Sequence, residues 1–250
     1  MMAAEAGTTR VARRKVAFLK ELLIVGVGYL IYSQVRGLAG DRVVDAFANG
    51  NYIVELERDI GIFKELALQA WILPHDLLVD VFNLIYFYGL FPLLLPTAIW
   101  LFFRRPHVYS LTRNAFLTSG AIAVCFYLTL PTAPPRLMDL GFIDTLSQSF
   151  TPTYDSIPGV NQFAALPSMH VGWNFLTAVG LYLALSGTRW RPVVLVLPVA
   201  MFTATVVTGN HYFVDGMLGL AVASTGLGIA VLINRYEEKR RALAQAPSSS

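Results

Sequence analysis

Apolar positions gather into six runs along the chain: Val16 to Tyr32, Leu77 to Phe103, Ala115 to Leu130, Met169 to Leu185, Val193 to Thr208 and Tyr212 to Ile233. Their lengths lie near the roughly 20 residues that carry a helix through about 30 Å of hydrocarbon at 1.5 Å per residue. The pattern predicts an all-α fold, a six-transmembrane-helix bundle. The first run is broken by Lys20 and Glu21 and follows Arg10, Arg13, Arg14 and Lys15, as the apolar stretch of a signal peptide would. No clear small-x-small cleavage site follows it, which favours a retained anchor; cleavage within Gly37 to Gly40 is the alternative. Between the first two runs, Ile53, Leu56, Ile60, Phe63 and Ala67 recur at spacings of three and four with charged residues between them. That spacing predicts an outer interfacial helix, a lid or brace over the bundle. The connection from Pro131 to Pro167 holds Pro131, Pro134, Pro135, Pro152, Pro158 and Pro167 and reads as irregular, ordered loop. The tail from Ala242 to Ser250 reads as disordered. The expected organisation is a cytoplasmic segment over 1–15, one membrane-embedded domain over 16–235 and a cytoplasmic tail over 236–250, with no solenoid repeat and no second domain.

Composition agrees with the pattern. Hydrophobic residues make up 55% of the chain and charged residues 14%, against about 25% charged in soluble domains. The single cysteine, Cys125, excludes an intramolecular disulfide, a cysteine zinc site and a redox pair. The net charge of +3 reports topology more than ligand, and nothing supports nucleic-acid binding. With the amino terminus cytoplasmic, and Lys20 set aside within the first run, 13 basic residues fall inside and five outside: Arg36, Arg42, Arg58, Lys64 and Arg136. The excess places both termini in the cytoplasm and the two long connections outside.

Three short segments carry candidate chemistry. In His211-Tyr-Phe-Val-Asp215 the four-residue spacing puts an acid and an imidazole on one helix face. An unpaired acid one turn below the surface costs roughly 2.5 to 3.5 kcal/mol on insertion scales, so Asp215 needs a partner. In Leu166-Pro-Ser-Met-His170, Ser168 is positioned as an N-cap and His170 falls in the first helical turn, where free N–H groups suit a phosphate oxygen. In Pro131-Thr-Ala-Pro-Pro-Arg136 a proline frame holds a guanidinium whose fork matches phosphate oxygens. Each alone has a bland reading: a solvated helix end, a cap, a snorkelling arginine. The topology brings all of them to one surface.

These segments resemble the motifs of the type 2 phosphatidic acid phosphatase superfamily, in the order Arg136, then Pro167-Ser168-Met169-His170, then His211 and Asp215. The Pro131 to Arg136 segment, and Met169 in place of the usual glycine, resemble the branch that holds fungal inositol phosphorylceramide synthases and their bacterial relatives. The resemblance implies a phosphoryl-transfer enzyme acting on a lipid phosphate at the extracytoplasmic face. It implies His211 as nucleophile, Asp215 as its orienting acid and His170 as general acid and base. It further implies Arg136 and Ser168 as phosphate ligands, with no metal and no cofactor. Water as acceptor gives a phosphatase; an alcohol such as inositol or a sugar gives a phosphotransferase. Two departures stand out: Ala204 and Thr205 replace the family's Ser-Arg before the third-motif histidine, and Thr129 replaces the lysine seven residues before Arg136.

Two rival functions are open to the same residues. Two histidines and a carboxylate can form a metal triad, although no supporting motif accompanies the spacing. A transporter or lipid-translocating protein needs polar residues through the bilayer depth, whereas the third, fourth and fifth runs have no charged residue at their centres. Asp76, Asp80 and Asn83 read as helix-end solvation or headgroup contacts, His75 and His107 as interfacial, and Gly172, Gly216 and Gly219 as close-packing positions.

Overall fold

The computed structural model describes residues 2–38, 42–147 and 161–245. Nine α-helices are present among them: α1 (Met2–Leu38), α2 (Val43–Asp59), α3 (Glu65–Ile72), α4 (Asp76–Tyr88), α5 (Phe91–Arg104), α6 (Pro106–Thr129), α7 (Met169–Ala184), α8 (Val196–Val207) and α9 (Phe213–Gln245). Extended backbone pairs, among the described residues, only in a single parallel bridge between Thr132 and Ala164. Pro152, Pro158 and the tail beyond 245 lie outside the described residues.

Among the described residues three helices are long and apolar enough to cross a membrane, over Val16–Gly37, Pro106–Thr129 and Phe213–Ala244. The bent pair α4 and α5 adds a fourth if counted as one span. The run from Leu77 to Phe103 is therefore not one helix: α4 and α5 meet at 44°. Pro92 in the first turn of α5 cannot donate a hydrogen bond, and its ring excludes the carbonyl four residues earlier. Asn174 Nδ2 donates to the carbonyl oxygen of Gly89 at the break (2.7 Å). Helix α7 follows the fourth run almost residue for residue but has 16 residues. The fifth run divides into a 3-10 turn, Arg191–Leu195, and α8. Six crossings are thus not given by helix length alone.

The predicted interfacial helix is two helices, α2 and α3, joined by a turn at Gly61, whose φ of +78° suits glycine. The stripe that α2 buries is Ala46, Gly50, Ile53, Val54 and Glu57. Ile60 and Ala67, counted into the apolar face by spacing, are exposed because the helix stops at Asp59. Ala46, Ile53 and Val54 pack on Ala133, Met138, Leu166 and Tyr212, so α2 braces the segments that enter α7 and α9. The expected disordered tail begins as helix, since α9 continues to Gln245. Its last turns are rich in helix formers and include an Arg241–Glu237 pair at 3.2 Å.

At the centre α6 and α9 run antiparallel. Thr118 Oγ1 donates to the Gly226 carbonyl (3.0 Å) and Asn114 Nδ2 to Asn234 Oδ1 (2.7 Å). Small residues allow the approach: a Cβ on Gly226 would come within 2.9 Å of the Ala115 carbonyl oxygen. Helix α7 crosses α9 at Gly172 and Gly219, and a Cβ on Gly172 would lie 2.7 Å from the Gly219 carbonyl oxygen. Glycines 172 and 219 therefore serve close packing, as expected, and Gly216 does so against the Phe202 ring. Glu21, the acid that interrupts the first run, accepts from Arg113 Nη1 on both oxygens (2.6 Å each) and from the Tyr109 hydroxyl (3.3 Å). Asn114 Oδ1 holds the same guanidinium through Nη2 (2.9 Å).

Candidate active site

Helix α8 ends in a turn through Gly209 (φ +69°), and the Thr205 carbonyl accepts from both Asn210 N and His211 N (3.0 Å each). His211 therefore precedes α9 instead of sharing a helical face with Asp215. The contact expected from the spacing forms by another route. Asp215 is the third residue of α9, and its Oδ2 accepts from the backbone N–H of Tyr212 (3.0 Å), the carboxylate half of a capping box. The same oxygen lies 3.2 Å from His211 Nδ1. Both side chains are buried, Asp215 completely, and its Oδ1 has no hydrogen-bond partner among the described residues.

The next two N–H groups of α9 are capped from elsewhere. Phe213 N donates to Glu65 Oε1 (3.0 Å) and Val214 N to Glu57 Oε1 (2.7 Å). Three carboxyl groups from three segments thus meet one helix amino terminus, whose partial positive charge favours them. Burial, and then the neighbouring Glu65, pushes the Glu57 carboxyl up to about 9, so at neutral pH it holds its proton. Both glutamates were absent from the sequence-derived site. Glu57 recurs in register with Ile53 and Val54, the one clue that it is buried; Glu65 gives no such signal.

Ser168 occupies the N-cap position of α7 in extended backbone (ψ 99°), but its hydroxyl caps nothing. Its N–H donates to the Asp215 carbonyl (2.9 Å), and its Oγ is buried with no partner among the described residues. The backbone of α9 thus satisfies the N–H of the cap residue itself. His170 stands one turn in, stacked on Tyr86 at 4.5 Å between ring centroids and 5.9 Å from the His211 ring.

Arg136 is buried in a 3-10 turn, Pro135–Leu137, and its N–H donates to the Gly209 carbonyl (2.8 Å). Its Nε donates to Asn210 Oδ1 and its Nη2 to Gln162 Oε1, both at 2.9 Å, and Asp144 pairs with Nη1 at 3.6 Å. These contacts fix the plane of the fork beside His211. Asn83, read above as helix-end solvation or a headgroup contact, is instead a brace: it exchanges hydrogen bonds with Thr145 (3.0 and 2.8 Å), next to Asp144. Asp76 and His75 are exposed at the start of α4, and His107 is exposed at the end of α6 away from this site.

The groups converge on a cavity of about 190 Å³ whose walls include His170, His211, Arg136, Asn210, Tyr86 and Arg36. Asp215 stands behind His211. The sequence reading brought together His170, His211, Asp215 and Arg136, and the structure does the same; Ser168 lies beside them with its hydroxyl buried. Among the described residues no three His, Cys, Asp or Glu side chains converge as a metal site would require.

The family profile of the PAP2 superfamily matches residues 51–229, and the chain belongs to that superfamily. Over 171 residues it is 27% identical to the phosphoinositol dihydroceramide synthase of Bacteroides thetaiotaomicron, a stretch that covers 61% of this chain and 55% of that relative. The match thus spans about half of the relative's length. No solved structure matches the chain.

Proposed function

We propose that this chain is a multi-pass membrane enzyme that transfers a phosphoryl group from a lipid phosphate, through a phosphohistidine on His211, to water or to an alcohol such as inositol or a sugar. The observation that carries the reading is the cavity edge itself. His211 is tied through Nδ1 to the buried Asp215, a second histidine stands 5.9 Å away, and a clamped guanidinium borders the same space. With Nδ1–H donated to Asp215, Nε2 carries the lone pair and attacks phosphorus. The P–O bond to the lipid breaks as the P–N bond forms, and His170 gives its proton to the departing oxygen. The acceptor hydroxyl then loses its proton to His170 and attacks, and the P–N bond breaks. Arg136 and Ser168 hold the non-bridging oxygens as charge shifts. That the relative is a phosphoinositol dihydroceramide synthase supports the branch with an alcohol acceptor.

The reading includes six crossings: α1, the α4–α5 pair, α6, α7, the Arg191–Val207 segment and α9. Alternation then puts the ends of α1, α6 and α8 and the starts of α4, α7 and α9 on one side. Those ends carry the cavity, and the charge division makes that side extracytoplasmic.

The test is rapid quench of the purified chain in detergent with a panel of radiolabelled lipid phosphates. The expected result is an acid-labile, base-stable label on His211, lost with turnover in His211→Ala. Full turnover in that variant, or label only on another residue, rejects the assignment.

A further inference from the structure

Helix α1 lies outside the matched residues 51–229, yet its last turns form part of the cavity wall through Tyr29, Tyr32, Ser33 and Arg36. Arg36 Nη2 donates to the Asn161 carbonyl (3.1 Å), and Asn161 Nδ2 donates back to the Arg36 carbonyl (2.7 Å). The following residue, Gln162, accepts from Arg136 Nη2 (2.9 Å). Two adjacent residues therefore yoke two arginines, more than ninety positions apart in sequence, to one cavity. The Arg36 guanidinium also lies 5.9 Å from the centroid of the Tyr127 ring, which helps to orient it.

The positions where related motifs place further cations supply none here. Thr129 is exposed and bonds back to the Cys125 carbonyl (2.7 Å), and Thr205 bonds back to the Phe202 carbonyl (2.8 Å). A transferring phosphoryl group spreads negative charge over three oxygens, more than one guanidinium fork can cover. We infer that Arg36 is the second phosphate-binding cation of this cavity, so that α1 completes a two-arginine site for the phosphate of a lipid headgroup. The inference rests on the phosphoryl-transfer reading of the cavity and adds its missing charge. It makes α1 part of the substrate site, with Tyr29, Tyr32 and Ser33 lining the same space.

The test uses the full chain in detergent, with inorganic phosphate as the calorimetric probe and thermal melts as the control for folding. Arg36→Gln and Arg136→Gln should each weaken phosphate binding about tenfold, the size expected for losing charge-assisted hydrogen bonds. Arg36→Lys, which keeps the charge but not the fork, should recover part of the loss and serves if the glutamine variant melts early. A short-chain phosphatidic acid should displace phosphate at lower concentration than glycerol 3-phosphate does; equal displacement would overturn the lipid assignment. Arg36 variants that bind within twofold of wild type while Arg136→Gln loses binding would overturn the inference, as would a wild-type chain that binds no phosphate. Binding that depends on both arginines without any label on His211 would uphold the two-arginine site and sink the phosphoryl-transfer reading instead.

Discussion

Two polar clusters sit at opposite ends of the same helices, and they are finished differently. At one end, Glu21 of α1 meets Arg113 of α6 in a short pair whose side chains are 19% and 17% exposed, with Asn114, Asn234 and Tyr109 around it. Each described group there has a partner on a neighbouring helix. At the other end, the histidines and Arg136 face a cavity, and Asp215 Oδ1 and Ser168 Oγ are buried without partners among the described residues. Unmet buried polar atoms cost stability and persist in native proteins where something else requires them. The first cluster reads as a fastening for α1, α6 and α9, the second as a place kept open for a ligand.

The sharpest way to break this contrast is to alter the open cluster without altering its shape. Asp215→Asn can keep its oxygen toward both the Tyr212 N–H and His211 Nδ1, since one carboxylate oxygen serves both, but it removes the negative charge that stabilises the imidazole as it turns positive. We expect kcat to fall by about a thousandfold or more, with an unchanged melting temperature. Activity retained within tenfold would remove Asp215 from the chemistry.

The closed cluster should respond the other way. Arg113→Ala leaves Glu21 without its cation and should cost about 2 to 3 kcal/mol, somewhat under the range for fully buried pairs, because both groups are partly exposed. Thermal melts in detergent should show it, while turnover per folded molecule stays near wild type. A large loss of kcat with no loss of stability would mean that the two ends are coupled, not separate.

The smallest effect concerns α2, the brace over the open cluster. A carboxyl raised from its usual 4.5 to about 9 contributes stability that is fully present below pH 4.5 and is lost as pH rises through 9. The unfolded chain ionises there first and the folded chain holds its proton. Glu57→Gln keeps an acceptor for Val214 N and a donor for Glu65 without the titration. Its melting temperature should therefore fall less than that of wild type between pH 6 and 9, and parallel curves would refute the raised carboxyl.

The comparison also shows what could be read from the chain. His170, His211, Asp215 and Arg136 were legible because they sit in short local segments with fixed spacing, and α7 was legible because proline and serine mark its start. The break between α4 and α5 was hidden by continuous apolarity, even though Gly89 and Pro92 lie at the break. The two-helix form of the brace was masked by Ile60 and Ala67, which continue the spacing past the end of α2. Glu57 left only its register with Ile53 and Val54 as a clue, and Glu65, Arg36 and Gln162 left none, since each acts on a segment far away in sequence: Glu65 on Phe213, Gln162 on Arg136. Local pattern reports what a residue does to its own helix. It is silent on caps supplied from elsewhere.

The crossing of α7 and α9 at Gly172 and Gly219 has a kinetic consequence. Ser168 N–H and the Asp215 carbonyl join the two backbones directly, two residues from one histidine and four from the other. On the proposed mechanism the spacing between proton donor and nucleophile is set before any lipid arrives, so the barrier includes no cost for assembling them. The motion such a cycle demands then falls on the entry and departure of the lipid.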